Sequence, residues 1–181
     1  MIFSLLRKRR AVSAPDALYE RITIAARHPA LYLRFGVPDT VEGRFESLTV
    51  HLVLVLRRLR RLPAPAQELA QELVDAFFRQ LDASLRELGV GDMRVPKRMK
   101  KLAQGFYDRA ASYDAALDAG DTGALAGLFG CNFVADAEAA QSLARYVQGV
   151  EAALGEDTLD TLLVRGPSFA EPSRFEGEGA R

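Results

Sequence analysis

Apolar residues recur every three or four positions along most of the chain, and Pro and Gly residues interrupt the pattern. This spacing is typical of amphipathic helices, and no stretch of useful length alternates as a strand would. The segments with helical spacing run from Ser13 to Pro29, Asp39 to Arg61, Gln67 to Leu88, Pro96 to Ala119, Asp121 or Thr122 to Phe129, Asp136 to Leu154 and Leu159 to Val164. The pattern predicts an all-α protein, a single compact bundle of about six to seven helices.

Capping residues predict where several of these helices begin and end. Ser13 precedes the first apolar repeat, and Asp39 with Glu42 three residues later has the form of a capping box. The Asp39 carboxylate is therefore expected to accept backbone N–H groups. Gly89 and Gly120 follow long helical segments and suit the left-handed conformation found just after a helix.

The helical segments predict a domain at residues 13–164, a basic segment at 1–12 and a disordered tail at 165–181. The tail is rich in Gly, Glu and Ser, and its few apolar groups cannot offset the entropy of ordering it. We therefore expect deletion of residues 166–181 to leave stability nearly unchanged.

Composition limits the possible environments of the protein. The 181 residues include one Cys, Cys131, so no internal disulfide can form. The longest strongly apolar run, Leu48 to Leu56, is shorter than the roughly 20 residues that span a bilayer. The chain also begins without a secretory signal. These features favour a cytoplasmic protein, with peripheral contact at the inner membrane through Phe3, Leu5 and Leu6 beside Arg7 to Arg10.

The sequence does not assemble a catalytic or metal site, so no cofactor is expected. His28 is interpreted as a cation at the end of the first helix, and His51 as a buried histidine without nearby metal ligands. One histidine suffices for an axial haem bond, so haem ligation by His51 stays open. Cys131 is expected to pack as a small apolar side chain, and Gly89 with Gly91 to form a turn.

Charge is balanced overall but not along the chain. Basic and acidic residues number 24 each, whereas residues 1–61 hold 12 basic and 5 acidic residues. Zero net charge disfavours a nucleic-acid-binding module, as does the lack of aromatic residues within the basic stretches.

Two basic clusters differ in their position on the predicted helices. The first comprises Arg57, Arg58, Arg60 and Arg61; the second comprises Arg94, Lys97, Arg98, Lys100 and Lys101. The first ends a helix, where the helix dipole favours positive charge, and is interpreted as structural. The second opens a helix, where the dipole opposes it, and is predicted to be a binding face for an anionic partner, with a plain solvated face as the alternative.

Two stretches resemble the signature segments of the ubiquinol-cytochrome c chaperone family. They read Gly36-Val-Pro-Asp-Thr-Val-Glu-Gly-Arg-Phe45 and Gly89-Val-Gly-Asp-Met-Arg-Val-Pro-Lys-Arg-Met-Lys100, and Phe106, Tyr107 and Arg109 follow the second. The resemblance covers about Tyr19 to Val164, and the chain length is typical of an alphaproteobacterial member. It implies a non-catalytic assembly factor for respiratory complex III that binds newly made cytochrome b. It also implies a small partner subunit and the ribosome as further partners.

The residues of the two stretches have structural and functional interpretations. The expected loop and cap residues are Gly36, Pro38, Asp39, Thr40, Gly43, Gly89, Gly91, Asp92 and Pro96. Gly43 would permit close approach of another backbone segment. Arg44 is poorly placed against the dipole and is expected to bind Asp92 or a partner carboxylate. The predicted partner-binding set is therefore Arg44, Arg94, Lys97, Arg98, Lys100 and Lys101.

A second functional class stays open from the residues alone. A small helical enzyme or carrier could act on a quinone or lipid in a pocket between helices. Tyr107, Tyr113 or His51 would then serve as the acid or base, although the sequence indicates no activating partner for any of them.

Overall fold

The computed structural model describes residues 13–175, so the predicted basic segment at 1–12 and the end of the predicted tail at 176–181 lie outside the described residues. Within this range the chain forms eight α-helices and no strand. The helices are α1 (Ala14–Ala26), α2 (Pro29–Leu33), α3 (Val41–Arg61), α4 (Ala66–Glu87), α5 (Val95–Asp118), α6 (Thr122–Asn132), α7 (Ala137–Leu154) and α8 (Leu159–Val164), followed by a 3₁₀ helix at Pro172–Phe175. The all-α prediction is confirmed.

Helix α3 lies at the centre of the bundle, where it contacts α1, α4, α5 and α7. Its consecutive residues Leu52, Val53, Leu54 and Val55 are each at most 1 % exposed. Because successive residues point about 100° apart around a helix, a run of four buried residues requires neighbours on every side. The other long helices therefore pack their apolar faces around α3.

The helix starts follow the capping rules, with one correction. Ser13 and Asp136 accept hydrogen bonds from the backbone N–H groups of Asp16 and Ala139 as predicted. The start of α3 differs, because the Thr40 hydroxyl accepts the bond from the Gly43 N–H at 3.0 Å. The Asp39 carboxylate lies one residue too early to cap and binds a side chain instead.

His28 also has a different role from the expected one. A short helix, α2, begins directly after it, and its ring nitrogen Nδ1 accepts a hydrogen bond from the Ala30 N–H at 3.3 Å. The expected cation at the end of α1 is therefore wrong. Pro29 stops α1, but it also suits the first position of the next helix, so the chain turns and becomes helical again.

The predicted disorder of the tail is wrong for residues 165–175, here called the C-terminal strap. Phe169 packs against the His51 ring at a centroid distance of 5.4 Å, and Phe175 packs against Tyr146 at 5.9 Å. The buried Asp157 carboxylate accepts bonds from the Ser168 N–H and hydroxyl at 2.8 and 2.6 Å. Two aromatic rings and one carboxylate thus anchor a segment whose average composition indicates disorder.

Cys131 is exposed, which corrects its expected packing. Helix α6 is apolar on all sides, so its sequence does not define which face is buried. The structure buries Leu125, Ala126 and Phe129 and leaves Cys131 on the outside.

We predict that Thr40→Ala lowers the free energy of unfolding by about 1 kcal/mol, because the Gly43 N–H loses its acceptor. Asp39→Ala should cost less than about 0.5 kcal/mol, since it removes only an exposed ion pair. Urea denaturation of both variants measures the difference. A larger loss for Asp39→Ala would contradict this assignment of the cap.

A second prediction concerns the C-terminal strap. The double variant Phe169→Ala, Phe175→Ala should lower the free energy of unfolding by about 2–4 kcal/mol, because both rings are half-buried against the bundle. Arg174→Ala, an exposed position in the same segment, is the matched control and should change little. Equal urea midpoints for the two variants would show that the strap does not stabilise the fold.

Candidate functional site

The cations of the first basic cluster are bound by other residues of the bundle. Arg57 is 4 % exposed, and its guanidinium binds the carboxylates of Asp114, Asp118 and Glu151 at 2.8, 2.7 and 3.2 Å. Arg60 and Arg61 bind the same three carboxylates from the exposed side. The structural interpretation of this cluster is confirmed, although acidic residues of α5 and α7 supply the stabilisation that was expected from the helix dipole.

The pKa shifts in this network agree with its geometry. Burial alone would lower the pKa of Arg57, but the hydrogen bonds that it donates to Asp114, Asp118 and Glu151 outweigh burial and raise it. The bond from Arg57 in turn lowers the pKa of Asp118. Arg57 therefore stays charged at physiological pH, and its ion pairs join α3 to α5 and α7.

The second basic cluster has the opposite environment. We call Arg94, Lys97, Arg98, Lys100 and Lys101 the basic face. All five side chains are exposed, and none forms an ion pair or hydrogen bond with another residue in the range 13–175. The first turn of α5 contains no acidic residue, and the side chain of the N-cap residue Arg94 makes no capping bond. These charges therefore stabilise nothing in the described fold and are available to a partner.

The local sequence explains how α5 presents the basic face. Val95 is 1 % exposed and Phe106 is also buried, so one side of the helix is fixed against the bundle. Pro96 lies in the first turn, where its missing N–H costs no hydrogen bond. Lys97 and Lys101 are four residues apart, and both project from the opposite, solvent-facing side.

An apolar groove lies farther along α5, between that helix, α3 and α4. It has a volume of about 240 Å³. Its apolar lining comprises Val53 and Leu56 of α3, Ala70 and Val74 of α4, and Phe106, Tyr107 and Ala110 of α5. Tyr107 is 56 % exposed and packs against Phe106 and Phe78 at 5.2 and 6.2 Å. Sequence reasoning did not find this groove, because helical spacing places these residues in the core without showing where the helices separate.

The first signature stretch forms the loop before α3. Gly36 has φ +68°, and a Cβ there would crowd Ala139 and Val134, which brings the loop against the start of α7. Gly43 faces the Pro38 carbonyl so closely that a Cβ would collide with it. The predicted loop, cap and close-approach roles of Gly36, Pro38, Thr40 and Gly43 are thus confirmed.

Arg44 is separated from the basic face by its own contacts. Its guanidinium binds the Asp39 carboxylate, with Nε and Nη2 at 2.8 and 2.7 Å from Oδ1. The expected pairing with Asp92 is wrong, because Asp92 binds Arg86 of α4. Since both Arg44 and Asp39 are more than half exposed, a partner could still exchange with Asp39, but the structure does not join Arg44 to the α5 cations.

The second signature stretch forms the turn between α4 and α5. Gly89 has φ +76° as predicted, and the Gly91 carbonyl accepts the Arg94 N–H at 2.8 Å. Arg86 binds both Asp82 and Asp92, so this arginine fixes the turn to α4. The glycines therefore build a turn, as expected.

Behind the basic face, Arg109 connects α5 to the central helix. Its Nε and Nη2 atoms lie 2.6 and 2.5 Å from the two carboxylate oxygens of Glu46, which is 6 % exposed. A buried bidentate pair fixes both partners in orientation. Glu46 was not predicted from the sequence, because no local pattern pairs residues 63 positions apart.

Comparison with known proteins agrees with this arrangement. The sequence pattern of the family described as Ubiquinol-cytochrome C chaperone matches residues 33–169. The chain belongs to the ubiquinol-cytochrome c chaperone family. The crystal structure of the Cbp3 homolog from Brucella abortus is 41 % identical, with a TM-score of 0.80, and the match covers 89 % of this chain and 91 % of that one. Among curated proteins, none matches the chain.

The chaperone-family match spans both signature turns, the groove and the start of the C-terminal strap. Complex III assembly is therefore the process in which this family places the chain. In residues 13–175, no helix is long and apolar enough to cross a membrane. The same range contains no group of three His, Cys, Asp or Glu side chains that could hold a metal ion.

His51 has no free ring nitrogen with which to bind a metal or haem iron. Its Nδ1 lies 2.8 Å from the Ser47 carbonyl, which can only accept, so Nδ1 donates. Its Nε2 lies 3.0 Å from the Tyr146 hydroxyl, which donates to it. Both ring nitrogens are therefore used, and the side chain is 1 % exposed, so the predicted buried histidine is confirmed over haem ligation.

The three side chains considered for an enzyme are not brought together. Tyr113 is buried in contact with Phe129, and burial raises its pKa, which makes it a poor acid at neutral pH. Tyr107 lines the groove, but its hydroxyl has no hydrogen-bond partner in the described part of the chain. Because His51 is also buried and hydrogen-bonded at both ring nitrogens, none of these three side chains is an activated acid or base.

The burial of His51 predicts a pH dependence of stability. Burial lowers the pKa of His51 from 6.5 to about 4, so between these values the unfolded chain binds a proton that the folded chain does not. Stability should be full above pH 6.5 and fall by about 2 kcal/mol between pH 7.5 and 5. Urea denaturation across this range measures the slope.

His51→Gln keeps a polar side chain without the titration and should flatten that slope. His28→Gln leaves His51 in place and serves as the matched control, so it should retain the slope. An unchanged slope in His51→Gln would show that another group causes the acid sensitivity.

Proposed function

We propose that this protein is a non-catalytic chaperone that holds newly made cytochrome b during assembly of ubiquinol-cytochrome c reductase. Membership of the family supports a role in complex III assembly, and the basic face is the observation that carries the rest of the proposal. Five exposed cations, none with a partner among residues 13–175, lie at the start of a helix whose dipole disfavours them. Such a cluster is explained by an external anionic partner better than by the fold.

The groove complements the basic face. Lys100 precedes Tyr107 by seven residues, so both project from the same side of α5, two helical turns apart. A client segment with an acidic end and an apolar side chain could therefore contact the cations and the groove together. This two-part contact suits a loop of a membrane protein before its final neighbours cover it.

The two parts of this surface have different physical roles. Exposed charges accelerate association and confer salt dependence, whereas an apolar side chain in a groove slows release. The groove is shallow and open, and the cations need no rearrangement to reach a partner. This combination favours reversible holding, which an assembly factor requires when later subunits displace it.

The proposal also predicts where in the cell the chaperone acts. Loops of cytochrome b that await later subunits lie at the membrane surface, so the protein would act on the cytoplasmic side of the inner membrane or its mitochondrial equivalent. A small partner subunit and the ribosome are the other ligands that the basic face could contact. Mass spectrometry of the proteins that co-purify distinguishes them from cytochrome b.

Replacement of Lys97, Arg98, Lys100 and Lys101 by Gln should leave stability unchanged or slightly raised, because each cation opposes the dipole by roughly 0.3–1 kcal/mol. The amount of cytochrome b that co-purifies from detergent-solubilised membranes should fall at least about tenfold, mainly through slower association. Binding of the unchanged protein should weaken as salt rises.

The matched control replaces four other exposed arginines, Arg27, Arg145, Arg165 and Arg174, by Gln. It removes the same charge and should retain cytochrome b. Mass spectrometry of both purifications identifies the lost partner. If the basic-face variant folds, retains cytochrome b and supports normal complex III levels, the client does not bind there; loss of ribosomal proteins or a small subunit alone would reassign the surface.

A further inference from the structure

The turn between α4 and α5 exposes two large apolar side chains beside the basic face. Met93 is 94 % exposed and Leu88 is 63 % exposed, and they stand at the two sides of the same turn. Large apolar side chains on a folded surface are common singly, but a pair at one protruding turn marks an interaction site when charges surround it. We call residues 88–94 the turn tip.

The turn tip is held in shape by bonds within the chain. The Val90 N–H donates to the Leu85 carbonyl at 3.0 Å, and the Arg94 N–H donates to the Gly91 carbonyl at 2.8 Å. Arg86 binds Asp92 and thereby ties the turn to α4. The exposure of Met93 and Leu88 is therefore a property of an ordered turn, and within residues 13–175 no other segment covers them.

Charge near the turn tip is strongly positive. Residues 86–101 contain six basic and two acidic residues, a net charge of +4, and one of the acids, Asp92, is already bound by Arg86. The last cation, Lys101, is six residues from the start of α5, which places it about 9 Å along the helix axis. All the basic-face cations would thus lie within about one Debye length of an anionic surface in contact with the turn tip, close enough for that surface to attract them.

An apolar pair next to a cluster of unpaired cations matches an anionic lipid surface. Each Lys or Arg close to such a surface strengthens binding about fivefold, and apolar side chains enter the boundary between headgroups and acyl chains. RNA would satisfy the cations but leave Met93 and Leu88 in water, because this turn has no aromatic ring for a base to stack on. The apolar pair therefore favours lipid over nucleic acid.

We propose that the turn tip inserts Met93 and Leu88 into the interface of an anionic bilayer while the basic face binds lipid headgroups. This contact goes beyond the proposed holding of cytochrome b and would orient α5 with its N-terminal end on the membrane. The groove residues Phe106 and Tyr107 lie about three turns from the start of α5, so the groove would stay above the headgroups and accessible to a client loop.

The test measures co-sedimentation of the full chain with vesicles. The protein should bind vesicles of phosphatidylcholine with about 30 % phosphatidylglycerol much more strongly than pure phosphatidylcholine. The double variant Leu88→Ser, Met93→Ser keeps every charge and should reduce binding on the order of tenfold. Leu33→Ser, at a position that is 81 % exposed on α2, is the matched control and should change binding less than twofold.

Insertion itself can be read from a fluorescent label. Cys131→Ser removes the single cysteine, and Met93→Cys in that background places an environment-sensitive dye on the turn tip. Its emission should shift to the blue with anionic vesicles, whereas the same dye at Leu33→Cys should not shift. Circular dichroism and urea denaturation establish that each variant is folded.

Several results would overturn the inference. Vesicle binding that survives Leu88→Ser, Met93→Ser would place the contact elsewhere, for example in the apolar and basic sequence Met1 to Arg10. Binding of an RNA oligonucleotide in the absence of vesicle binding would assign the basic face to nucleic acid. The serine variant should still retain cytochrome b in detergent, so loss of vesicle binding with retained client supports the turn tip, while the glutamine variant tests the client site separately.

Discussion

The guanidinium of Arg57 fixes the relative positions of three helices. It emerges from the central helix α3 almost completely buried and binds two carboxylates of α5 and one of α7. A buried cation is tolerated only when its donors are satisfied, so α5 and α7 must approach α3 in one register. The ion pair between Glu46 of α3 and Arg109 of α5 adds a second fixed point, nearer the N-terminal end of α3. The position of the basic face and the opening of the groove both depend on these two anchors.

Much of the helical bundle could be predicted from local pattern. The seven helical segments follow from apolar spacing, and the caps at Ser13 and Asp136 follow from side-chain chemistry. The errors arose where tertiary contacts decide. Asp39 and Thr40 are both good caps, and the close contact of Gly43 with Pro38 selects Thr40. The strap is ordered because its aromatic rings pack against His51 and Tyr146, which lie in the middle of α3 and α7, and the composition of the tail does not reveal these contacts.

The candidate site, too, depends on tertiary contacts that local sequence does not predict. In sequence the two basic clusters look alike, and the helix dipole alone suggests which is structural. In the structure they differ in whether carboxylates bind them. The first cluster binds Asp114, Asp118 and Glu151, all more than 50 residues away in sequence. The second binds no carboxylate in the described part of the chain. The groove was unpredictable for a related reason, since the spacing of helices depends on the volumes of side chains from three separate segments.

The division of charge has a functional consequence. Cations that stabilise the fold are held by several acceptors and cannot be released without loss of stability, so the Arg57 network is unavailable to ligands. Cations that meet a partner gain when they stay hydrated and unpaired until contact, because no internal bond must then be broken. Their location at the start of α5 makes the fold slightly less stable, and selection for folding alone would favour acidic residues there. The positive charge at the start of α5 is thus a feature that the described fold does not require, and the proposed anionic partner would account for it.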